Sequence, residues 1–435
     1  MRSERGSLQH LSRQDQAGAN ARCDGTAWPD KFPEHASVNV AAPKPQPKTT
    51  IGGDGSRARA KRARPGMTVL GCRQGFRSRR MPCYRFLMGS GTRFAGLQIA
   101  RAIAALSIAY FHSWRVLLPF PADTAYPIPF LQNYGWLAVD FFFAISGYVI
   151  CMVITRPEFS RRKFLIRRAF RLYPLWIAAS YEYFHLAKNV VGINQDAVRG
   201  AFYYSLTLLP TNGHPVYDVG WSLQHELAFY MIAALIVPSL GLTGLLGFLL
   251  IGSTAAKLFD LPWYLAQFFD YYPNFIAGLL AFAAHNRFKQ MMAGPLIVGG
   301  CLLLWFFTTQ FGRAAFPLCL FVLLLGLVNL KIDKNSLLGR ICIELGDASY
   351  SIYLIHPLVF LYVYSLLQPP LPPIWIQEFI RFGCIAYISL LSIVCWRLYE
   401  KPLIALGVWL TDGNAVKRNA NNQKITHLPD QFPGS

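Results

Sequence analysis

From residue 96 to residue 397 the chain is a succession of apolar runs, each roughly as long as the ~20 residues a helix needs to cross a bilayer. No other feature constrains the fold as much. The runs lie near 96–117, 134–155, 172–190, 221–239, 241–257, 268–286, 294–310, 314–330, 347–366 and 377–397. Hydrophobic residues make up 53% of the chain and charged residues only 15%, well below the quarter usual in soluble domains. The expectation is an all-α integral membrane protein, a bundle of about ten transmembrane helices. The run "GAFYYSLTLLP" (200–210) is too short to cross and reads as a re-entrant or interfacial piece.

Short-loop charges set the orientation. The loop "RPEFSRRKFLIRRAFR" (156–171) carries seven basic residues and one Glu, and "HNRFKQ" and "KIDKNSLLGR" are also basic. The loops 118–133 and 367–377 contain no Lys or Arg. Basic and non-basic loops alternate as an even number of spans requires, with both termini cytoplasmic. A multi-pass protein of the plasma membrane is expected, in contact with the lipid bilayer.

The net charge of +20 overstates the basicity of this membrane domain, because residues 1–93 hold 18 Lys/Arg against 6 Asp/Glu. That segment lacks hydrophobic periodicity, is rich in Pro, Gly, Ser and Gln, and reads as a disordered basic tail. "RARAKRARPG" resembles a nuclear localisation patch, but no nucleic-acid partner is expected. Met67, Met81 and Met88 precede the first run closely, so an over-extended start is an alternative. The domain reading is therefore a tail over 1–93, a membrane domain over 94–410 and a polar tail over 411–435. Nine cysteines lack metal-ligand spacing and are read as small apolar residues, with no metal site.

Polar residues inside the runs carry whatever chemistry the chain performs. Arg101 and His112 are eleven residues apart in "IARAIAALSIAYFHSW", three turns plus about 20°, so they share one face about 16 Å apart. On the expected topology Arg101 lies near the cytoplasmic end of the first span and His112 in its outer third. Asp140 lies about one turn inside the outer end of the second span, Glu226 near the outer end of the fourth, and His356 near the middle of the ninth. Each alone can be a satisfied interhelical hydrogen bond. Grouped at one depth, an imidazole and carboxylates suit abstraction of a hydroxyl proton. The basic cluster Arg161, Arg162, Lys163, Arg167, Arg168 and Arg171 reads either as a positive-inside signal or as a phosphate site. The stretch from Arg167 to Tyr173, followed by Pro174, suggests an interfacial helix ending at the membrane. Trp221 could stack on sugars or belong to an interfacial aromatic belt. The chain has no P-loop, no G-x-S-x-G and no dinucleotide fingerprint.

Taken together, six segments resemble the acyltransferase-3 family of integral-membrane carbohydrate O-acyltransferases, over roughly residues 95–403. "LQIARAIAALSIAYFH" is similar to the family's R-x10-H element and "GWLAVDFFFAISGYVI" to its G-x-x-x-V-D-x-F-F-x-x-S-G pattern. "RRAFRLYPLW", "WSLQHELAFY", "SYSIYLIHP" and "LYEKP" resemble the elements that follow, in the same order. The long tail before "LQIAR" and the lack of an esterase-like domain depart from common members of the family.

The resemblance implies transfer of an acyl group, usually acetyl, from cytoplasmic acyl-CoA to a hydroxyl of a polysaccharide or lipid-linked glycan at the cell surface or in export. Acyl-CoA is then a donor substrate, with no bound cofactor. On this reading His112 is the general base or transient acyl carrier, oriented by Glu226 or Asp140. Arg101, Arg167, Arg168, Arg171 and Tyr173 would hold the donor, while Trp221, Ser222, Tyr353 and His356 complete the site. The alternative class is a transporter or flippase for a glycan or lipid intermediate, using the same groups as a proton relay. Matching broken helices in two halves, which would favour it, are not found.

Overall fold

A computed structural model describes residues 95–116, 128–288, 290–310, 315–333, 335–366 and 373–412. Both tails, apart from residues 411 and 412, and most of the loop over 118–133 lie outside these. Every regular element among the described residues is helical. In chain order they are α1 (Ala95–Val116), α2 (Pro129–Tyr134), α3 (Leu137–Ile154), α4 (Arg161–Val191), α5 (Gln195–Leu206), α6 (Gly220–Leu258) and α7 (Trp263–Phe269). There follow α8 (Tyr272–Ala284), α9 (Ala293–Gln310), α10 (Phe316–Asn329), α11 (Leu337–Asp347), α12 (Ser349–Leu366) and α13 (Ile374–Cys395). A π turn at Trp396–Glu400 carries α13 on to residue 412. Leu137–Ile154, Gly220–Leu258 and Trp375–Asp412 are each long and apolar enough to cross a membrane, and shorter apolar helices occur at Ala293–Thr308, Phe316–Asn329 and Ser349–Val363.

α1 and α3 form the centre. α1 packs against α3, α10, α11, α12 and α13, and it buries Ala100, Ala102, Ala104, Ala105 and Ala109. Small side chains let neighbouring backbones approach, which is how helices gain van der Waals contact where no water drives them together. α3 is apolar on all sides, as suits a helix enclosed by others. Its crossing with α8 is close enough to require glycine on both helices. A Cβ on Gly147 would meet the Phe275 carbonyl oxygen at 2.3 Å, and one on Gly278 would meet that of Ala144 at 2.0 Å.

Two boundaries follow from backbone chemistry. α6 breaks at Gly241, whose φ of 65° and ψ of −170° are open to glycine alone. The break falls between the apolar runs 221–239 and 241–257. At Pro174 the outcome differs from expectation, because no interfacial helix stops there and α4 runs unbroken for 31 residues. Tertiary contacts override the proline: Leu172, Leu175 and Trp176 are buried around it, and Tyr350 donates to the Leu172 carbonyl at 2.7 Å.

The short run 200–210 does not traverse the bundle. α5 folds back on α4, with the Phe202 and Phe184 rings stacked at 4.2 Å. The irregular segment over 207–219 then enters the protein, burying Leu208, Tyr217 and Val219. Buried irregular backbone needs partners for its polar groups. Tyr173 donates to the Thr207 carbonyl at 2.8 Å and Gln224 to that of Leu209 at 2.6 Å. The Tyr217 hydroxyl donates to the Leu354 carbonyl at 2.5 Å, tying the segment to α12.

Candidate active site

α1, α3, α4, α6 and α12 enclose a pocket with about 600 Å³ of empty space, its open mouth included. Its wall holds Arg101 and Arg171, then Ser146 and Glu226, then Ser222 and Tyr353. Phe142, Phe143, Leu172 and Leu223 supply apolar surface between these polar groups. The lining sets guanidinium groups beside apolar surface, which suits an anionic group joined to an apolar stem.

Helical spacing decides which members of the basic cluster reach it. Arg171 does, beside Arg101. Arg168, three residues earlier, lies over the Tyr230 ring at 5.0 Å and the Phe164 ring at 5.4 Å. Arg167, four residues before Arg171 and so on nearly the same face but about 6 Å further along the axis, binds Asp412 at 2.7 Å and Thr411 at 2.8 Å, while Lys163 meets Asp412 at 3.1 Å. Tyr173 bonds the Thr207 carbonyl and is not in the pocket wall. Arg101 donates to Gln98 at 3.2 Å, and Gln98 donates to Asp347 at 2.5 Å. That chain anchors the α1 guanidinium through α11.

The polar groups expected at one depth occupy two levels. Glu226 accepts hydrogen bonds from Ser146, at 2.9 Å, and from the Tyr230 hydroxyl. Asp140 accepts from Asn274 Nδ2 at 2.5 Å. Ser146 and Asp140 are six residues apart on α3, so the two carboxylates are separated by about 9 Å along that helix. α6 and α12 run antiparallel: Ser222 meets Tyr353 at 2.7 Å, and Glu226, one turn later on α6, interacts in the pocket wall with Tyr350, about one turn earlier on α12. Counting Ser222 to Glu226 one way and Tyr353 to His356 the other puts Glu226 about 10 Å from His356 along the axis. Glu226 therefore belongs to the level of the arginines.

At the other level the two histidines meet. His112 Nδ1 lies 2.7 Å from His356 Nε2, with the rings nearly parallel and 5.0 Å between centroids. His356 is fully buried, and its Nδ1 lies 3.1 Å from the Ile352 carbonyl one turn earlier on α12. Neither ring is part of the pocket wall. Tyr353 is, and its ring centroid is 5.9 Å from that of His356, so the pocket wall reaches the histidine pair through Tyr353. Ser222 and the Val219 carbonyl hold the Tyr353 hydroxyl at 2.7 and 3.0 Å. Trp221 packs against Phe143 and Tyr271 rather than lining the pocket.

Sequence reasoning missed Glu400. It is buried at the end of the π turn and accepts from Ser351 at 2.8 Å. Pro402, two residues on, cannot supply the N–H for an α-helical bond to the Leu398 carbonyl inside that turn, which accounts for its irregularity. The signal was present in "LYEKP", a carboxylate against an apolar run. Ser146 and Tyr230 were also missed, because serine and tyrosine are unremarkable inside an apolar helix.

Comparison with known proteins places the chain in a family. Residues 94–397 match the acyltransferase domain family, whose members are membrane-associated. The exopolysaccharide production protein ExoZ of Rhizobium meliloti (strain 1021) is 25% identical over 294 residues, covering 63% of this chain and 90% of that protein. No solved structure matches the chain. With the family match extending across the whole helical bundle, the chain belongs to the acyltransferase domain family and is an acyltransferase.

Proposed function

We propose that this protein transfers an acyl group, acetyl first among the candidates, from cytoplasmic acyl-CoA to a hydroxyl of an exported polysaccharide or lipid-linked glycan. It does so from a bundle of about ten transmembrane helices in a bacterial inner membrane, with both termini in the cytoplasm. The similarity to a protein of exopolysaccharide production supports the acceptor class. The observation that carries the donor class is the pocket with Arg101 and Arg171 at one end and Tyr353, against the histidine pair, at the other.

Dimensions support the same assignment. Arg101 and His112 are about 16 Å apart along α1. The pantetheine arm of CoA has twelve bonds between its diphosphate oxygen and its sulfur, an extended reach of roughly 15 Å at the per-bond advance of a polypeptide. A diphosphate held by Arg101 and Arg171 thus delivers the thioester to the level of His112. There the imidazole takes the proton of the acceptor hydroxyl as that oxygen bonds to the thioester carbonyl carbon. The carbon–sulfur bond breaks, and the imidazolium returns the proton to the thiolate, leaving an ester and free CoA. Glu226, with Ser146 and Tyr230, sets the polarity of the donor channel, and Asp140 braces α3 against α8.

Removing a general base costs about 10²–10⁴-fold. His112→Ala in membranes, given acetyl-CoA, should lose CoA release and glycan esterification by that factor at normal abundance and thermal stability. Near wild-type transfer in that variant overturns the assignment. NMR of surface and secreted glycans after gene deletion identifies the acceptor by its missing ester signal.

A further inference from the structure

We infer that His356 is a positioning residue that selects the tautomer of His112 and thereby makes Nε2 the reactive atom; this rests on His112 acting as the base. A backbone carbonyl can only accept a hydrogen bond, so the contact between His356 Nδ1 and the Ile352 carbonyl, at 3.1 Å, puts a proton on Nδ1. A neutral imidazole carries one proton, and His356 Nε2 is consequently an acceptor. The atom 2.7 Å away, His112 Nδ1, must then be the donor. One carbonyl on α12 therefore sets the protonation of two rings on two helices. His112 is left with its lone pair on Nε2, the nitrogen further from its own backbone.

The series is held by structure rather than by charge. His356 is 0% exposed, so no water competes for its ring, and the Ile352 carbonyl belongs to the preceding turn of the same helix. Pro357, the next residue, removes the N–H that would cap the Tyr353 carbonyl, so that turn of α12 is already adapted to local bonding. During transfer the acceptor proton arrives on His112 Nε2 and leaves to the CoA sulfur, while the Nδ1 proton remains with His112 throughout. The bond to His356 strengthens as His112 becomes cationic, because a charged donor makes the stronger hydrogen bond. An uncharged ring here does what a carboxylate does for the histidine of a serine-protease triad: it holds one tautomer and one orientation.

The test uses two amides that differ by one methylene. The Gln side chain places its amide where Nε2 of a histidine lies, and Asn where Nδ1 lies. His356→Gln keeps an acceptor for His112 Nδ1–H, whereas His356→Asn keeps a donor to the Ile352 carbonyl and loses the acceptor. In the full-length protein in membranes, with acetyl-CoA as donor, His356→Gln should retain kcat within about tenfold of wild type. His356→Asn should lose about 10²-fold or more in kcat with the KM for acetyl-CoA unchanged in both. Equal kcat in the two variants, at whatever level, or a loss confined to KM, overturns the inference. Failure of the base assignment reads out separately, as transfer retained by His112→Ala in the same membranes.

Discussion

Arg171 shows what about one helical turn decides at the scale of a residue. It lines the pocket, while Arg167, four residues earlier, spends its guanidinium on Asp412 and Thr411. If Arg171 holds donor phosphates, Arg171→Ala loses a charge-assisted bond of about 1.5–3 kcal/mol, raising the KM for acetyl-CoA roughly tenfold to a hundredfold. Arg167→Ala should leave that KM near wild type. The comparison requires equal membrane abundance and unchanged orientation, read with a reporter fused at the C-terminus. An equal rise in both variants reduces the difference to general loss of positive charge. The sequence displayed Arg101, His112, Glu226 and His356, since a charged or titratable group in an apolar run stands out. It could not show that Glu226 lies with the arginines and His112 with His356, because that depends on how α6 and α12 are set against α1 and α3.

Among the elements, α4 and α6 answer to different forces. In α6 the backbone decides. Gly241 adopts angles that a Cβ forbids, although nothing crowds the position, so Gly241→Ala should cost on the order of 1–3 kcal/mol from backbone strain alone. A lower midpoint of thermal unfolding in detergent checks this, and an unchanged midpoint shows that the break tolerates another geometry. In α4 packing decides. Pro174 has the local chemistry to end a helix, yet Trp176 and its neighbours are worth more buried than the lost hydrogen bond, and the helix continues. Local rules therefore located the α6 break to within a residue and misplaced an end in α4. The inward course of residues 207–219 was not legible, and only the run 200–210, too short to cross, marked its start; its bonds to Tyr173, Gln224 and Leu354 come from three separate helices.

For the whole molecule, the matched family region begins at residue 94, and the basic segment before it lacks apolar periodicity. A chain beginning at Met88 should insert and should transfer acyl groups as the full chain does; lost activity at equal abundance would assign the basic segment a role in catalysis or assembly. What the sequence determined by itself is the class of molecule and the inventory of its chemistry. Hydrophobic run length is a local property that a bilayer reads segment by segment, and the spacing of Arg101 and His112 is set by the pitch of one helix. Which polar groups meet was decided by the tertiary structure alone. Hydrogen bonds act over about 3 Å, and the partners are 80 to 244 residues apart: His112 with His356, Glu226 with Ser146, Asp140 with Asn274. Their pairing depends on the axial offset between packed helices. Glycines such as Gly147 and Gly278 and the small side chains of α1 set that offset through close packing, and no single segment encodes it.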